Sequence, residues 1–332
     1  MITDAMLPTI FAALMALAIL IYAILDGYDL GVGILLPLDN EHDRDQMIAS
    51  IGPFWDANET WLVLAVGLML IAFPGAYNVI LKALYLPATI MLIGLILRGV
   101  AFDFRAKVAQ GNKGTWDIIF KLGSIIASSG QGYMLGMYVM GFDNSVNAIL
   151  FACLSGFGIT MAYAYIGAAW LVMKTDRELQ LKAVSWAKLA GRISFTGILS
   201  VCIINPLINP QVFERWTTLP LAFFIAAIPV FCFAFFYLGD RVLKRLPLAD
   251  DSGCWLPFVI AMLVFICCFS GLAISFYPFV IPGQLTISQA ASAPESLRFI
   301  LYGALFVIPC ILAYTIFSYR VFWGKVDALR YY

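Results

Sequence analysis

A single histidine, His42, stands in 332 residues, and that scarcity excludes much chemistry. No pair of imidazoles can hold a haem between two helices, and no Cys/His set has the spacing of a zinc site. The seven cysteines, Cys153, Cys202, Cys232, Cys254, Cys267, Cys268 and Cys310, form no CxxC pair. Most lie in apolar stretches, where a free thiol behaves as a small hydrophobe. Phosphate-loop, dinucleotide and HExxH patterns are missing as well. Charge is scarce: 12% of residues are Asp, Glu, Lys or Arg, against roughly 25% in a soluble domain. Acids and bases balance at 20 each, so there is no basic surplus to bind nucleic acid.

What fills the chain is apolar, 62% of it, too much for one packed core in water. The bilayer is the solvent that accepts such a surface, and it imposes helices or closed barrels. The start, Met1-Ile2-Thr3-Asp4, has no basic region, and no small-residue cleavage site follows the first apolar run. That run is expected to be a permanent helix.

A span needs about 20 apolar residues, and the gaps between charges mark nine of them. The expected helices cover about 7–35, 53–74, 77–98, 118–141, 146–173, 188–206, 217–239, 255–278 and 298–322. Pro74-Gly75 separates the second from the third, and Pro278, Pro282 and Gly283 end the eighth, leaving a loop. All loops are short, so residues 1–332 read as one polytopic membrane domain. With the N-terminus outside and the C-terminus inside, every basic residue except Lys82, Arg215 and Arg298 falls on the inner side. That bias fixes the orientation. The eight Trp and fifteen Tyr read as interface anchors and packing.

The polar residues gather at the inner ends of the first three spans. Asp26 and Asp29 are one turn apart on the first, and Asp56 and Glu59 repeat that spacing where the second begins. Arg98 closes the third, followed by Asp103. Singly, each acid has a plain structural account: a carboxylate in a first turn meets the helix dipole, and one near a helix end reaches the headgroups. Together they place four carboxylates and an arginine at the hydrocarbon boundary. Ionisable groups at that depth mark ion or proton routes, and crowded carboxylates share protons. The proton-route candidates are Asp56, Asp29, Asp26, Glu59, Arg98 and Asp103. No catalytic, cofactor-binding or metal-binding residue is expected on this chain. Gly27 and Gly31 have GxxxG spacing, which suits close helix contact. Ser128-Ser129-Gly130-Gln131-Gly132 could interrupt the fourth helix, though small residues more often serve packing.

Three blocks carry a family resemblance: Asp26-Gly-Tyr-Asp-Leu-Gly-Val-Gly33, Pro53-Phe-Trp-Asp-Ala-Asn-Glu-Thr-Trp61 and Arg98-Gly-Val-Ala-Phe-Asp-Phe-Arg-Ala-Lys107. Gly271 to Pro282 and Tyr319-Arg-Val-Phe-Trp-Gly-Lys325 follow in the same order. The chain resembles subunit II of cytochrome bd-type ubiquinol oxidases, in the compact branch that includes cyanide-insensitive enzymes. The match is weakest around the fifth to seventh helices. The resemblance implies an all-α integral membrane fold of nine transmembrane helices, two four-helix bundles plus one peripheral helix. It implies a heterodimer with subunit I in the bacterial inner membrane, lipid around it, quinol as the substrate of the complex, and room for a small accessory subunit. Two b-type haems and a d-type or related haem are expected in subunit I and none here; some relatives hold a structural quinone in this subunit. Asp56, Asp29 and Arg98 match positions associated with proton uptake. The competing reading is a stand-alone proton-coupled secondary transporter, which needs paired broken helices and a midplane substrate site.

Overall fold

The computed structural model describes residues 3–108, 112–208, 210–219, 221–247 and 251–326. A single 3-10 turn, Asp4–Met6, leads into α1 (Leu7–Leu35). There follow α2 (Glu41–Ile51), α3 (Trp55–Ala72), α4 (Pro74–Lys107), α5 (Lys113–Val139), α6 (Val146–Lys174), α7 (Arg177–Ile208), α8 (Pro210–Thr217), α9 (Leu221–Leu243) and α10 (Leu256–Phe276). A small hairpin, β1 (Phe279–Ile281) and β2 (Leu285–Thr286), precedes α11 (Ile287–Ala290) and α12 (Pro294–Val321).

Among the described residues, eight helices are long and apolar enough to cross a membrane: α1, α3, α4, α6, α7, α9, α10 and α12. Their outward faces carry bare apolar side chains such as Val63, Leu86, Phe299 and Phe306, as spans surrounded by lipid do. α5 has 27 residues, about 40 Å at 1.5 Å per residue. Lys113, Asp117, Lys121 and a Ser/Gly run interrupt its apolar sequence.

Several boundaries depart from the charge gaps. α4 runs on to Lys107 and not to 98, because Arg105 pairs with buried Asp117 and with Asp45, which keeps the last turns wound. α7 begins at Arg177 and not near 188; Leu179, Ala183, Val184 and Ala187 give that polar stretch a buried stripe. Residues 41–51, expected as loop, form α2, capped by the Asn40 side chain. The segment after α10 is not plain loop: its hairpin runs into α11, which opens on a capping box between Thr286 and Gln289. α5 passes through Ser128–Gly132 without interruption.

α1 is central: it packs against α3, α5, α6 and α10. α4 packs on α5, α5 on α6, α6 on α7, α7 on α9, and α9 on α10. At the α1–α6 crossing the two backbones touch. A Cβ added to Gly31 would lie 1.9 Å from the Tyr163 carbonyl oxygen, and one added to Gly167 would lie 2.5 Å from the Gly31 carbonyl carbon. Backbone cannot retreat as a side chain can, so overpacking here costs at least the 1–3 kcal/mol typical of a tight core. Gly31→Leu is therefore expected to lower the melting temperature in detergent or to abolish recovery of folded protein. Gly158→Ala, at an open position, serves as the control. A Gly31→Leu protein that melts with the wild type would refute the close crossing.

Candidate functional site

The acids near the C-terminal end of α1 are sealed from solvent. Asp26 and Asp29 both have 0% exposure, and Arg98 of α4 has 1%. Arg98 Nη2 donates to Asp26 Oδ1 at 2.7 Å and also pairs with Glu59 of α3. One guanidinium thus ties three helices. Its position follows from the α4–α5 crossing, where Gly94 and Gly123 let the backbones meet beside Arg98.

Asp29 has a different partner. Asn58 of α3 donates from Nδ2 to Asp29 Oδ2 at 2.7 Å, to the Tyr28 hydroxyl at 3.0 Å and more weakly to the Leu25 carbonyl at 3.3 Å. Tyr319 of α12 donates to Asn58 Oδ1 at 3.3 Å. A further polar group lies one turn back along α1, where Gln131 of α5 donates to the Tyr22 hydroxyl at 2.6 Å and accepts from the Tyr163 hydroxyl at 2.7 Å.

Of the six candidates, four come together: Asp26, Asp29, Glu59 and Arg98. Glu59 lies at the edge, its side chain 28% exposed. Asp56 and Asp103 are exposed. Among the described residues no hydrogen bond or ion pair joins either to the cluster, although the charge of Asp56 acts on Glu59 from nearby. Asn58, Tyr28, Tyr319 and Gln131 were missed as site residues. Asn58 and Tyr28 lie inside two of the recognised blocks, and Tyr319 opens the last of them; nothing local in the sequence marks Tyr319 as the partner of Asn58 and Tyr28, or Gln131 as the partner of Tyr22 and Tyr163.

A second buried charge cluster was also missed. Asp117 of α5, 0% exposed, lies 2.7 Å from Arg44 of α2 and 2.5 Å from Arg105 of α4. The Arg44 contact is an ion pair by distance but is not aligned as a hydrogen bond. Arg105 reaches on to Asp45 at 2.6 Å. Two arginines satisfy this acid, and the group pins α2 across the ends of α4 and α5.

The first cluster has the opposite balance: three acids face one arginine. Asp26 Oδ2, Asp29 Oδ1 and Arg98 Nε and Nη1 have no hydrogen-bond partner among the described residues, so spare acceptors and donors sit beside the internal bonds. Acids that outnumber bases in a low-dielectric site are balanced by sharing protons. The arrangement is therefore one in which carboxyls can share a proton. His42 is exposed on α2, and among the described residues no group of three or more His, Cys, Asp or Glu side chains is placed to hold a metal ion.

Comparison with known proteins gives one consistent result. Residues 7–322 match the family model described as cytochrome bd terminal oxidase subunit II. The chain is similar to cytochrome bd ubiquinol oxidase subunit 2 of Bacillus subtilis (strain 168), 29% identical over 337 residues, covering 97% of this chain and 98% of that one. It is 26% identical over 375 residues to cytochrome bd-I ubiquinol oxidase subunit 2 of Escherichia coli (strain K12), covering 98% and 97%. Among solved structures, the bd oxidase from Geobacillus thermodenitrificans superposes with a TM-score of 0.77 at 18% identity, over 95% of this chain and 98% of that one. At that identity the likeness speaks for the fold.

Proposed function

We propose a function on one premise: the chain belongs to the cytochrome bd terminal oxidase subunit II family. It is a subunit of a quinol oxidase, an oxidoreductase whose catalytic centres lie in the partner subunit. The complex oxidises quinol and reduces oxygen to water, using two b-type haems and a d-type or related haem, all in subunit I. This chain stabilises subunit I and carries part of the route by which cytoplasmic protons reach the oxygen chemistry. The observation that supports the proton role is the sealed Arg98–Asp26–Glu59 group with Asp29 beside it, reaching the surface at Glu59, near the exposed Asp56.

The same reading sets the chain in the bacterial cytoplasmic membrane with nine spans, α5 being the ninth, N-terminus out and C-terminus in. The asymmetry of Lys and Arg supports the orientation. Two closed rings of packed helices support two four-helix bundles: α1, α3, α4 and α5 form one, and α6, α7, α9 and α10 the other. α12 is the peripheral helix, with few buried residues. Lipid covers the outward apolar faces, and a structural quinone and a small accessory subunit belong to the same proposal. A stand-alone transporter would use paired broken helices, and the one candidate break, in α5, is continuous.

Two measurements test the reading. Tagged chain purified in mild detergent is expected to bring a second membrane subunit and haem absorption bands with it; a stable, haem-free, partnerless protein would sink the oxidase role. Asp56→Asn is then expected to slow turnover on the order of tenfold, about 1.4 kcal/mol on the barrier, with the haem spectrum unchanged. The effect is moderate because Asp56 is exposed and water can stand in for it. Full turnover in the assembled variant would remove Asp56 from the route.

A further inference from the structure

The Tyr28 and Tyr319 hydroxyl oxygens lie 2.6 Å apart across 291 residues of sequence. A tyrosine hydroxyl has one proton to give. Tyr319 gives its own to Asn58 Oδ1, so in the 2.6 Å contact Tyr28 is the donor. Tyr28 in turn accepts from Asn58 Nδ2. The three side chains therefore close a ring in which each donates to the next. The direction is set from outside, because an ionised Asp29 only accepts and so keeps the amide nitrogen facing it at 2.7 Å.

The ring has a second closed direction. When Asp29 takes a proton, its O–H needs an acceptor. Half a turn of the Asn58 amide presents Oδ1 to it. Asn58 then donates to Tyr319, Tyr319 to Tyr28, and Tyr28 to Asn58 Oδ1. Every hydroxyl of the ring keeps a partner in both states, and no proton enters or leaves the ring. We propose that Tyr28 and Tyr319 are positioning residues for Asp29: through Asn58 they hold an amide N–H towards its carboxylate and reverse when that carboxyl is protonated. The proposal rests on the proton-route reading and adds to it the part played by α12. The charged groups that face Asp29 are Arg98 of α4, Asp26 of α1 and Glu59 of α3. Among the described residues none of them is hydrogen-bonded to the ring, so Asn58 is the link between the ring and the acid.

Phenylalanine tests this cleanly. Tyr28 stacks on Trp170 at 4.2 Å and Tyr319 on Phe54 at 4.5 Å, so removing either hydroxyl leaves the rings seated. In the assembled oxidase, Tyr319→Phe and Tyr28→Phe are each expected to lower turnover about fivefold, the scale of one neutral hydrogen bond. Neither should cost anything further in an Asn58→Leu background. Both should shift the infrared carboxyl stretch of Asp29, identified by its loss in Asp29→Asn. Unchanged turnover with an unshifted band would overturn the proposal. So would a loss that persists in full with Asn58→Leu, or a Tyr319→Phe complex that falls apart while Tyr28→Phe is normal, which would make Tyr319 an anchor for α12. If Asp29→Asn itself turns over normally while the band still shifts in the two phenylalanine variants, the proton-route reading fails and the ring stands.

Discussion

Arg98→Gln is expected to leave little assembled, haem-bearing complex. The guanidinium is 1% exposed and meets Asp26, which is fully buried, at 2.7 Å, and it also meets Glu59. Removing it strands Asp26 as a buried charge with no counter-ion. Breaking a buried pair from one side costs about 3–5 kcal/mol, a large part of the stability of a typical domain. Glutamine fills part of the space but carries no charge. The pair Arg98→Gln with Asp26→Asn removes both charges and is expected to recover much of the yield, since Glu59 keeps its access to water. Haem content per membrane protein and the melting temperature of purified complex measure both effects. Wild-type yield and melting for Arg98→Gln alone would show that the buried pair contributes nothing to assembly, and so would a double variant no better than the single.

Eight of the nine spans were legible because the bilayer reads composition directly: a helix facing lipid needs apolar residues, and eight of the nine charge gaps hold helices long and apolar enough to cross a membrane. That same rule misjudged the ends. α4 continues past Arg98 because ion pairs take over from lipid at the boundary, as Arg105 shows with Asp45 and Asp117, and α7 starts before 188 because Leu179, Ala183, Val184 and Ala187 are buried. α2 was hidden for the same reason. Its acids look like loop, and only the fold reveals that Met47, Ile48 and Ile51 are buried beneath it. α5 is polar enough to fail a strict apolarity test, yet its glycines and serines face α4 and α6 closely.

The site was half legible. One-turn spacing on α1 brought out Asp26 and Asp29, and crossing topology added Arg98 and Glu59. Spacing could not distinguish Glu59, which reaches Arg98, from Asp56 one turn earlier, which points outward. That difference is a rotation of α3 about its axis, set by packing of Asn58, Trp61, Ala65 and Leu68. Tyr319 was beyond reach for another reason. Its partners are on helices at the other end of the chain, and no local pattern encodes a contact across 261 residues.

The second large effect belongs to Asp29. Arg98 is already answered by Asp26 and Glu59, whereas among the described residues Asp29 meets only the neutral amide of Asn58 within hydrogen-bond distance. Its other oxygen has no partner among the described residues. Asp29 is thus the carboxyl in the cluster least committed to an ion pair, and on the proposed proton route it is the one expected to change its protonation during turnover. Asparagine keeps its shape and can still face Asn58 by turning one amide, but it cannot carry a proton between sites. Asp29→Asn is therefore expected to assemble normally, with the haem spectrum intact, and to turn over about 100-fold more slowly, the lower end of what a positioned proton-transfer group supplies. Asp29→Glu, which restores the acid at a displaced position, is expected to recover part of that loss. The solvent deuterium isotope effect on turnover should rise in Asp29→Asn, because proton delivery becomes the slow step. An assembled Asp29→Asn oxidase with wild-type turnover and an unchanged isotope effect would take Asp29 out of the route and leave the buried acids a purely structural role.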